Sequence, residues 1–526
     1  MRVELRDSLE FLFPDSVVSK KPCRSTALDV ARAGTVAIHV LLNDLDEGEA
    51  IRVSIRDARG AVARSAKWFR LVDVPVEANT GPVGFAEKKG EHNPYVIRRA
   101  PFRVYDVMAP ASATIRATAA TMALRLHLPV PANARPGERT YTLQVRHKRD
   151  QQDLSVSVQV HKAVIPPVGR DSWPYTNWFN YDAMARRHGH KPWSEGHWRV
   201  IRKNGELMAR GRQNMFRIPL SEIFTKTARG PALNRERLRR IVKTFTKAGL
   251  YYIEGGHVGG RSGGEWGAST FDLGLGSRLR ATSAEGNAFL AGILGQLMEE
   301  IERNGWRDRW IQHVVDEPSA RNAVDYRILV GMVRKYMPGI PILDATMNTD
   351  LAGSVDIWCP QCQEYQRHRE KLEAQRVTGD KIWFYTCCFP GGPWLNRFLD
   401  QELLRPLLFG WAGVLYGLDG YLHYGLNHYL SDQHPFEKTL VKAGKDNWLP
   451  PGDGHVIYPG PKEPWSGLRF EAQREGTEDL ELLRLLQERD PKRARSIVRR
   501  VIRAFDDYTK DVKVLRRARR DLLKAL

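Results

Sequence analysis

Over roughly the first third of the chain, apolar and polar residues alternate with a period of two. Thr35-Val-Ala-Ile-His-Val, Ile51-Arg-Val-Ser-Ile, Tyr141-Thr-Leu-Gln-Val and Leu154-Ser-Val-Ser-Val-Gln-Val each read as a strand with one buried face. Turn-forming residues separate them, notably Pro131-Ala-Asn-Ala-Arg-Pro-Gly137. Antiparallel strands of this kind predict a β-sandwich over residues 1–167. The stretch gathers no cluster of acids or histidines and no phosphate loop, so it reads as an accessory domain. Val164-Ile-Pro-Pro-Val-Gly169 is the natural linker out of it.

From Trp173 the period changes. Short apolar runs alternate with long amphipathic segments, the pattern of a parallel sheet with crossover helices. Strands are expected at Pro174–Phe179, Asn214–Pro219, Leu250–Glu254, Ile311–Val315, Pro341–Ala345, Val355–Trp358, Lys381–Tyr385 and Gly413–Tyr416. Helices are expected between them, at Arg235–Ala248, Ala288–Asn304 and Ala323–Tyr336. This order predicts a (β/α)8 barrel over residues 168–486, with its site where the strands end. A doubly wound open sheet would want a glycine-rich nucleotide turn after the first strand, and none is present.

Charge changes the picture at the C-terminus. The net charge is +20 and the pI about 9.8, and the excess concentrates in residues 487–526, in Lys492-Arg-Ala-Arg495 and Leu515-Arg-Arg-Ala-Arg-Arg520. Ile497, Val501, Ile502 and Phe505 fall on one side at helical spacing, so the tail reads as short basic helices with a solvated charged face. An anionic glycan is the polyanion this balance suggests; nucleic acid is not expected. No run is long and apolar enough to span a membrane. The N-terminus lacks a secretory pattern, so the chain as written reads as cytoplasmic. Cys23, Cys359, Cys362, Cys387 and Cys388 do not make a disulfide scaffold. Cys359-Pro-Gln-Cys362 with Cys387-Cys388 raises a zinc site, but the vicinal pair suits one tetrahedral ion poorly. Buried thiols, with no metal and no cofactor, are the expectation.

The chemistry gathers at Ile311-Gln-His-Val-Val-Asp-Glu-Pro318. A β-branched run ends in two carboxylates, and Pro318 cannot continue a ladder. Neighbouring side chains on a regular strand face opposite ways, so Asp316 and Glu317 share a pocket only if the strand breaks there. Beyond the other strand ends stand Trp178, Asn180, Glu254, His257, Asn348, Trp358, Trp383, Tyr385, Tyr424, Asn427 and His428. Aromatic rings among amides and carboxylates suit a sugar, stacking on C–H faces and holding hydroxyls. Glycine pairs between Gly255 and Gly264 mark a flexible loop after the third strand, a candidate lid.

Four ordered segments carry a family resemblance. His313-Val-Val-Asp-Glu-Pro318, Trp383-Phe-Tyr-Thr-Cys-Cys-Phe-Pro390, Gly425-Leu-Asn-His-Tyr429 and Arg469-Phe-Glu-Ala-Gln-Arg-Glu-Gly-Thr-Glu-Asp479 resemble glycoside hydrolase family 123 and the related domain of unknown function 4091. The resemblance implies a retaining exo-β-N-acetylgalactosaminidase, in which the sugar's own acetamido oxygen attacks C1. It implies Glu317 as general acid/base and Asp316 as the carboxylate orienting the acetamido group. Tyr385 and Asn427 would bond the acetamido group or hydroxyls, and Trp383 or Trp358 would form the floor. For a sugar lacking the acetamido group, Glu254 or Asp344 is the second carboxylate to consider. A non-catalytic glycan-binding or polyanion-binding protein is the reading from a different class.

Overall fold

The computed structural model describes residues 1–526. The period-two segments form strands at Thr35–Asn43, Ala50–Asp57, Gly137–His147 and Asp150–Val164. They belong to two sheets of seven and five strands. Their apolar faces meet in one cluster, where Ile38, Val40 and Leu124 pack with Ile55, Leu143 and Val156. Neighbours run antiparallel except Ser25–Arg32, which lies parallel to Asp150–Val164.

The seven-stranded sheet is completed from far along the chain. Pro464–Gly467 pairs with Phe102–Ala111, and Ile457–Pro459 pairs outside it. An ion pair fixes this seam: Arg469 and Asp106, both fully buried, meet at 3.0 Å. Arg469 also donates to the carbonyls of Arg397, Gly452 and His455, while the Tyr458 hydroxyl donates to Asp106 at 2.6 Å. Truncating one member leaves a buried charge without a partner. Asp106→Ala is expected to cost about 3–5 kcal/mol, read as a fall in the denaturant midpoint of unfolding.

The remainder is mixed α/β. Parallel strands form one arc of five, in the order Tyr175–Asn177, Gly420–His423, Lys381–Tyr385, Ile357–Cys359, Leu343–Ala345. A second arc has three: Met215–Ile218, Tyr252–Gly255 and Trp310–Gln312. One parallel bridge, Gln312 with Ile342, joins the arcs at one seam. At the other, Asn214 accepts from the Tyr175 amide at 3.0 Å. Helices Arg235–Ala248 and Ala323–Tyr336 fall on the expected residues. The helix expected at Ala288–Asn304 runs Ala284–Arg303, with the Ser283 hydroxyl capping Gly286.

The last strand is not where the sequence put it. Gly413–Tyr416 is the final turn of helix Leu404–Tyr416, and the strand is Gly420–His423. That helix is apolar on nearly every side, so it shows no 3.6-residue stripe and reads like a buried strand. It lies against helix Leu468–Arg489 at very close range; a side chain at Gly410 or Gly476 would run into the other helix's backbone. The tail differs too. Pro491–Val501 and Val512–Ala525 are helices, but Ile502 and Phe505 belong to the hairpin segment between them. Its charge is partly buried rather than solvated. Arg516 pairs with Asp7 at 2.7 Å and also with Glu475, and Arg519 reaches Asp479 at 2.7 Å. No helix is long and apolar enough to cross a membrane.

Candidate active site

Trp310–Gln312 ends three residues earlier than expected: the His313 amide makes the last bond to the neighbouring strand, and the Val314 amide turns to a side chain. The His313 amide donates to the Gly255 carbonyl, and the Val314 amide to the Asp344 carboxylate at 3.1 Å. The chain then turns through Asp316 and Glu317 before Pro318. Glu317 has φ +49°, a left-handed backbone that costs a side-chain-bearing residue on the order of 1–2 kcal/mol. Two bonds hold that turn: Arg261 Nη2 to the Glu317 carbonyl at 2.6 Å, and Thr346 Oγ1 to the Pro318 carbonyl at 2.9 Å.

Glu317 is half-buried. Burial first, and the neighbouring Asp316 charge second, push its carboxyl up to about 7. The Tyr385 hydroxyl donates to Glu317 Oε1 and, with Arg261, resists the shift. Asp316 is also raised, by the protein crowded around it, against the pull of Arg217, His313 and Arg261. Its side chain still reaches solvent, which offsets part of that crowding. Repulsion between the two acids therefore ranks below desolvation.

Beneath the pair lies a second, closed set of charges. His313 stands fully buried between Glu254 Oε1 at 2.6 Å and Asp344 Oδ1 at 3.1 Å. Burial opposes its charge, but the two carboxylates win and lift it to about 9. Glu254 further accepts from Trp178 Nε1 at 2.5 Å and Thr176 Oγ1 at 2.8 Å, and Asp344 from the Tyr326 hydroxyl at 2.7 Å. Glu254 remains below the usual carboxylate range, although burial alone would raise it. Asp344 is raised by burial, so the ion pair is chiefly His313 with the nearer Glu254. Neither carboxylate has an exposed surface from which to meet a substrate.

The other sequence candidates divide. Tyr385 stands beside Glu317 and also touches Met347 Sδ at 3.2 Å, while Asn348 keeps a buried Nδ2 without a partner. Trp178 and His257 pack edge to face, with the Arg217 guanidinium 4.2 Å from the Trp178 ring and 3.2 Å from His257 Nδ1. Trp383 lies lower, 1% exposed among Leu343, Ile357 and Cys359, and is a packing layer rather than an open floor. Trp358 points the other way. Strand alternation sends it into the outer core, fully buried, with its N–H on Asp380 at 2.8 Å. Asn180 and Asn427 tie their loops together, the Asn180 amide donating to Asn427 Oδ1 at 2.8 Å, while Asn180 also caps helix Tyr181–Arg187. Tyr424 donates to the buried Asp453, itself pushed up to about 7 by burial, and His428 packs on the Tyr424 ring.

Arg217 and Arg261 went unread in the sequence. Arg217 precedes Pro219 at a strand end and was recoverable from the barrel rule; Arg261 sits in a loop whose glycines drew attention from it. His257, His313 and Asp344 bring donor atoms within 4.8 Å of one another. A metal ion does not suit them, since Arg217 occupies the flank of His257 and His313 holds its proton between carboxylates. All five cysteines are free; Cys359 lines the inner layer and Cys362 the outer core.

Residues 273–486 match the model of the glycoside hydrolase 123 catalytic domain, bearing out the family resemblance of the motifs. The matched segment holds Asp316, Glu317 and Tyr385. No curated protein sequence matches the chain. Among solved structures, a family 123 glycoside hydrolase from Clostridium perfringens, studied for glycolipid glycan hydrolysis, is similar over 99% of this chain and 96% of that one. The TM-score is 0.74 and the identity 13%, a likeness of fold. A β-galactosidase from Marinomonas ef1 reaches TM-score 0.37 at 11% identity over 62% of each chain, from which nothing about this chain follows.

Proposed function

We propose that the chain is a retaining exo-β-N-acetylgalactosaminidase working by substrate assistance. The observation that carries this is the contrast between two sets of carboxylates at one strand end. Glu317 is poised near 7 with one oxygen on Tyr385 and the other unclaimed, whereas Glu254 and Asp344 are locked around His313. A glycosidase needing an enzyme nucleophile would want a second accessible carboxylate at a set distance. The accessible second carboxylate here is Asp316, the chain neighbour of Glu317; in this reading it orients the acetamido group, and the substrate's own acetamido oxygen supplies the nucleophile.

In this reading Glu317 gives its proton to the glycosidic oxygen as the C1–O bond breaks. The acetamido carbonyl oxygen bonds C1, forming an oxazoline-type ring. Asp316 accepts the acetamido N–H and balances the positive charge, its ionised form supported by Arg217, Arg261 and His313. Glu317, now ionised, takes a proton from water as that water attacks C1 and reopens the ring. Two displacements at C1 return the β configuration.

The architecture that goes with this reading closes the two parallel arcs into one eight-stranded barrel, with residues 1–167 as a sandwich beside it and residues 487–526 as a C-terminal helical element. The test is a panel of aryl β-glycosides of GalNAc, GlcNAc, galactose and glucuronic acid. Release from N-acetylated sugars alone, with GalNAc preferred and the first product β, supports the proposal. Turnover of galactoside or glucuronide at comparable rate would sink substrate assistance and return the search to a second carboxylate.

A further inference from the structure

Large hydrophobic side chains are seldom left open on this surface, and Trp266 is one of them, 67% exposed. It stands on the loop between strands Gly259–Arg261 and Phe271–Leu273, a hairpin that follows the third parallel strand. The loop does not hang free. Asp325 accepts from the Phe271 amide at 2.9 Å and from Thr282 at 3.0 Å, and Asn322 Nδ2 donates to the Ala268 carbonyl at 3.2 Å. Asp272 takes the Ser262 hydroxyl at 2.7 Å. The lid expected from the glycines is thus pinned to the start of helix Ala323–Tyr336.

On the side toward the acids, one residue makes the link. The Arg261 guanidinium lies 3.8 Å from the Trp266 ring centroid and donates to the Glu317 carbonyl at 2.6 Å. A single side chain therefore sets the ring's height and tilt relative to the proton donor. Arginine covers one face of the indole and leaves the other to solvent. A rigid aromatic face beside a general acid suits a pyranose ring, whose axial C–H groups stack on it. The donor's proton goes to the glycosidic oxygen, so the sugar beyond that oxygen is the ring brought to this side.

We propose that Trp266, held by Arg261, is the binding platform for the first sugar of the leaving group, and so selects an oligosaccharide or glycoconjugate over a simple glycoside. This rests on Glu317 being the general acid of a glycosidase. It predicts a split between ligands that reach past the cleaved bond and those that do not.

The test is calorimetric binding to Glu317→Gln, which holds ligand without cleaving it, with and without Trp266→Ala. The probes are GalNAc alone and a β-linked GalNAc–galactose disaccharide. The expected result is a loss of about tenfold in disaccharide affinity, the order of one stacked ring, with GalNAc affinity unchanged. Trp266→Phe should restore most of the loss, because a ring remains. Equal affinities with and without Trp266, or an equal loss for both ligands, would overturn the platform. Failure of both sugars to bind Glu317→Gln would instead remove the sugar-site reading on which the platform stands.

Discussion

Glu317→Gln is expected to lower kcat on an N-acetylgalactosaminide by about 10²–10⁴-fold, the usual contribution of a general acid/base. The amide keeps the shape and can still accept from Tyr385, but it has no proton to give to a leaving oxygen. The same group sets the pH profile. With its carboxyl near 7, wild type holds the catalytic proton below about pH 7 and loses it above, so the alkaline limb of kcat should fall there. Gln removes that limb. The effect on stability runs the other way. A carboxyl raised in the folded state keeps its full contribution below the unfolded value of about 4.3 and loses it as pH rises through about 7. Gln carries no such charge, so at pH 8 the variant should melt no lower than wild type and somewhat higher. A variant that loses activity and gains stability marks a residue strained for chemistry. Parallel losses of both would instead mark a structural role. The measurements are kcat against pH and melting curves at pH 5 and 8.

Legibility varied with how locally each feature is encoded. Alternation in Leu154–Val160 and the apolar stripe of Arg235–Ala248 are short-range patterns, and both elements appear where they were read. Leu404–Tyr416 failed because burial on all sides erases periodicity, so strand and helix look alike until length is known. The turn at Asp-Glu-Pro was legible because proline cannot continue a ladder, although the ladder itself ends earlier, at Gln312. What the other aromatics and amides do was not. Trp358 and Trp383 sit on adjacent strands one residue out of register, Trp358 opposite Ile382, and only the phase of each three- to five-residue ladder says which faces inward. What the segment Arg469–Asp479 does structurally was not legible either. Its charges carry family resemblance, yet Arg469 holds Asp106, Glu471 holds Arg474 and Asp479 holds Arg519. The first fastens helix Leu468–Arg489 to the N-terminal sheet and the last fastens it to the tail, while the second lies within the helix. Arg469 and Asp106 lie 363 positions apart and Asp479 and Arg519 lie 40, so neither pair leaves a local spacing to read.

His313→Gln is expected to be the most destabilising single change at the site, and its size should depend on pH. Gln can bond one of the two carboxylates but cannot carry their counter-charge. Glu254 and Asp344, both without exposed surface, would then face each other across a neutral group. Breaking a buried pair this way costs about 3–5 kcal/mol. The sign follows from His313 itself. Its folded value, about 9, lies above the unfolded value of about 6.5. The stabilisation is therefore complete below about pH 6.5 and disappears as pH rises through about 9. The gap between wild type and variant should be widest near pH 6 and narrow steadily toward pH 9, in denaturant midpoints taken at both ends. A gap that stays constant would mean a neutral His313 acting only as a spacer. A narrowing gap has a consequence for catalysis. The same imidazolium supports the ionised form of Asp316. Under the proposed mechanism, the variant should lose activity on N-acetylated substrates even at pH 6 in conditions where it remains folded. The buried ion pair would then serve two ends at once, holding the strand break open and keeping the orienting carboxylate charged.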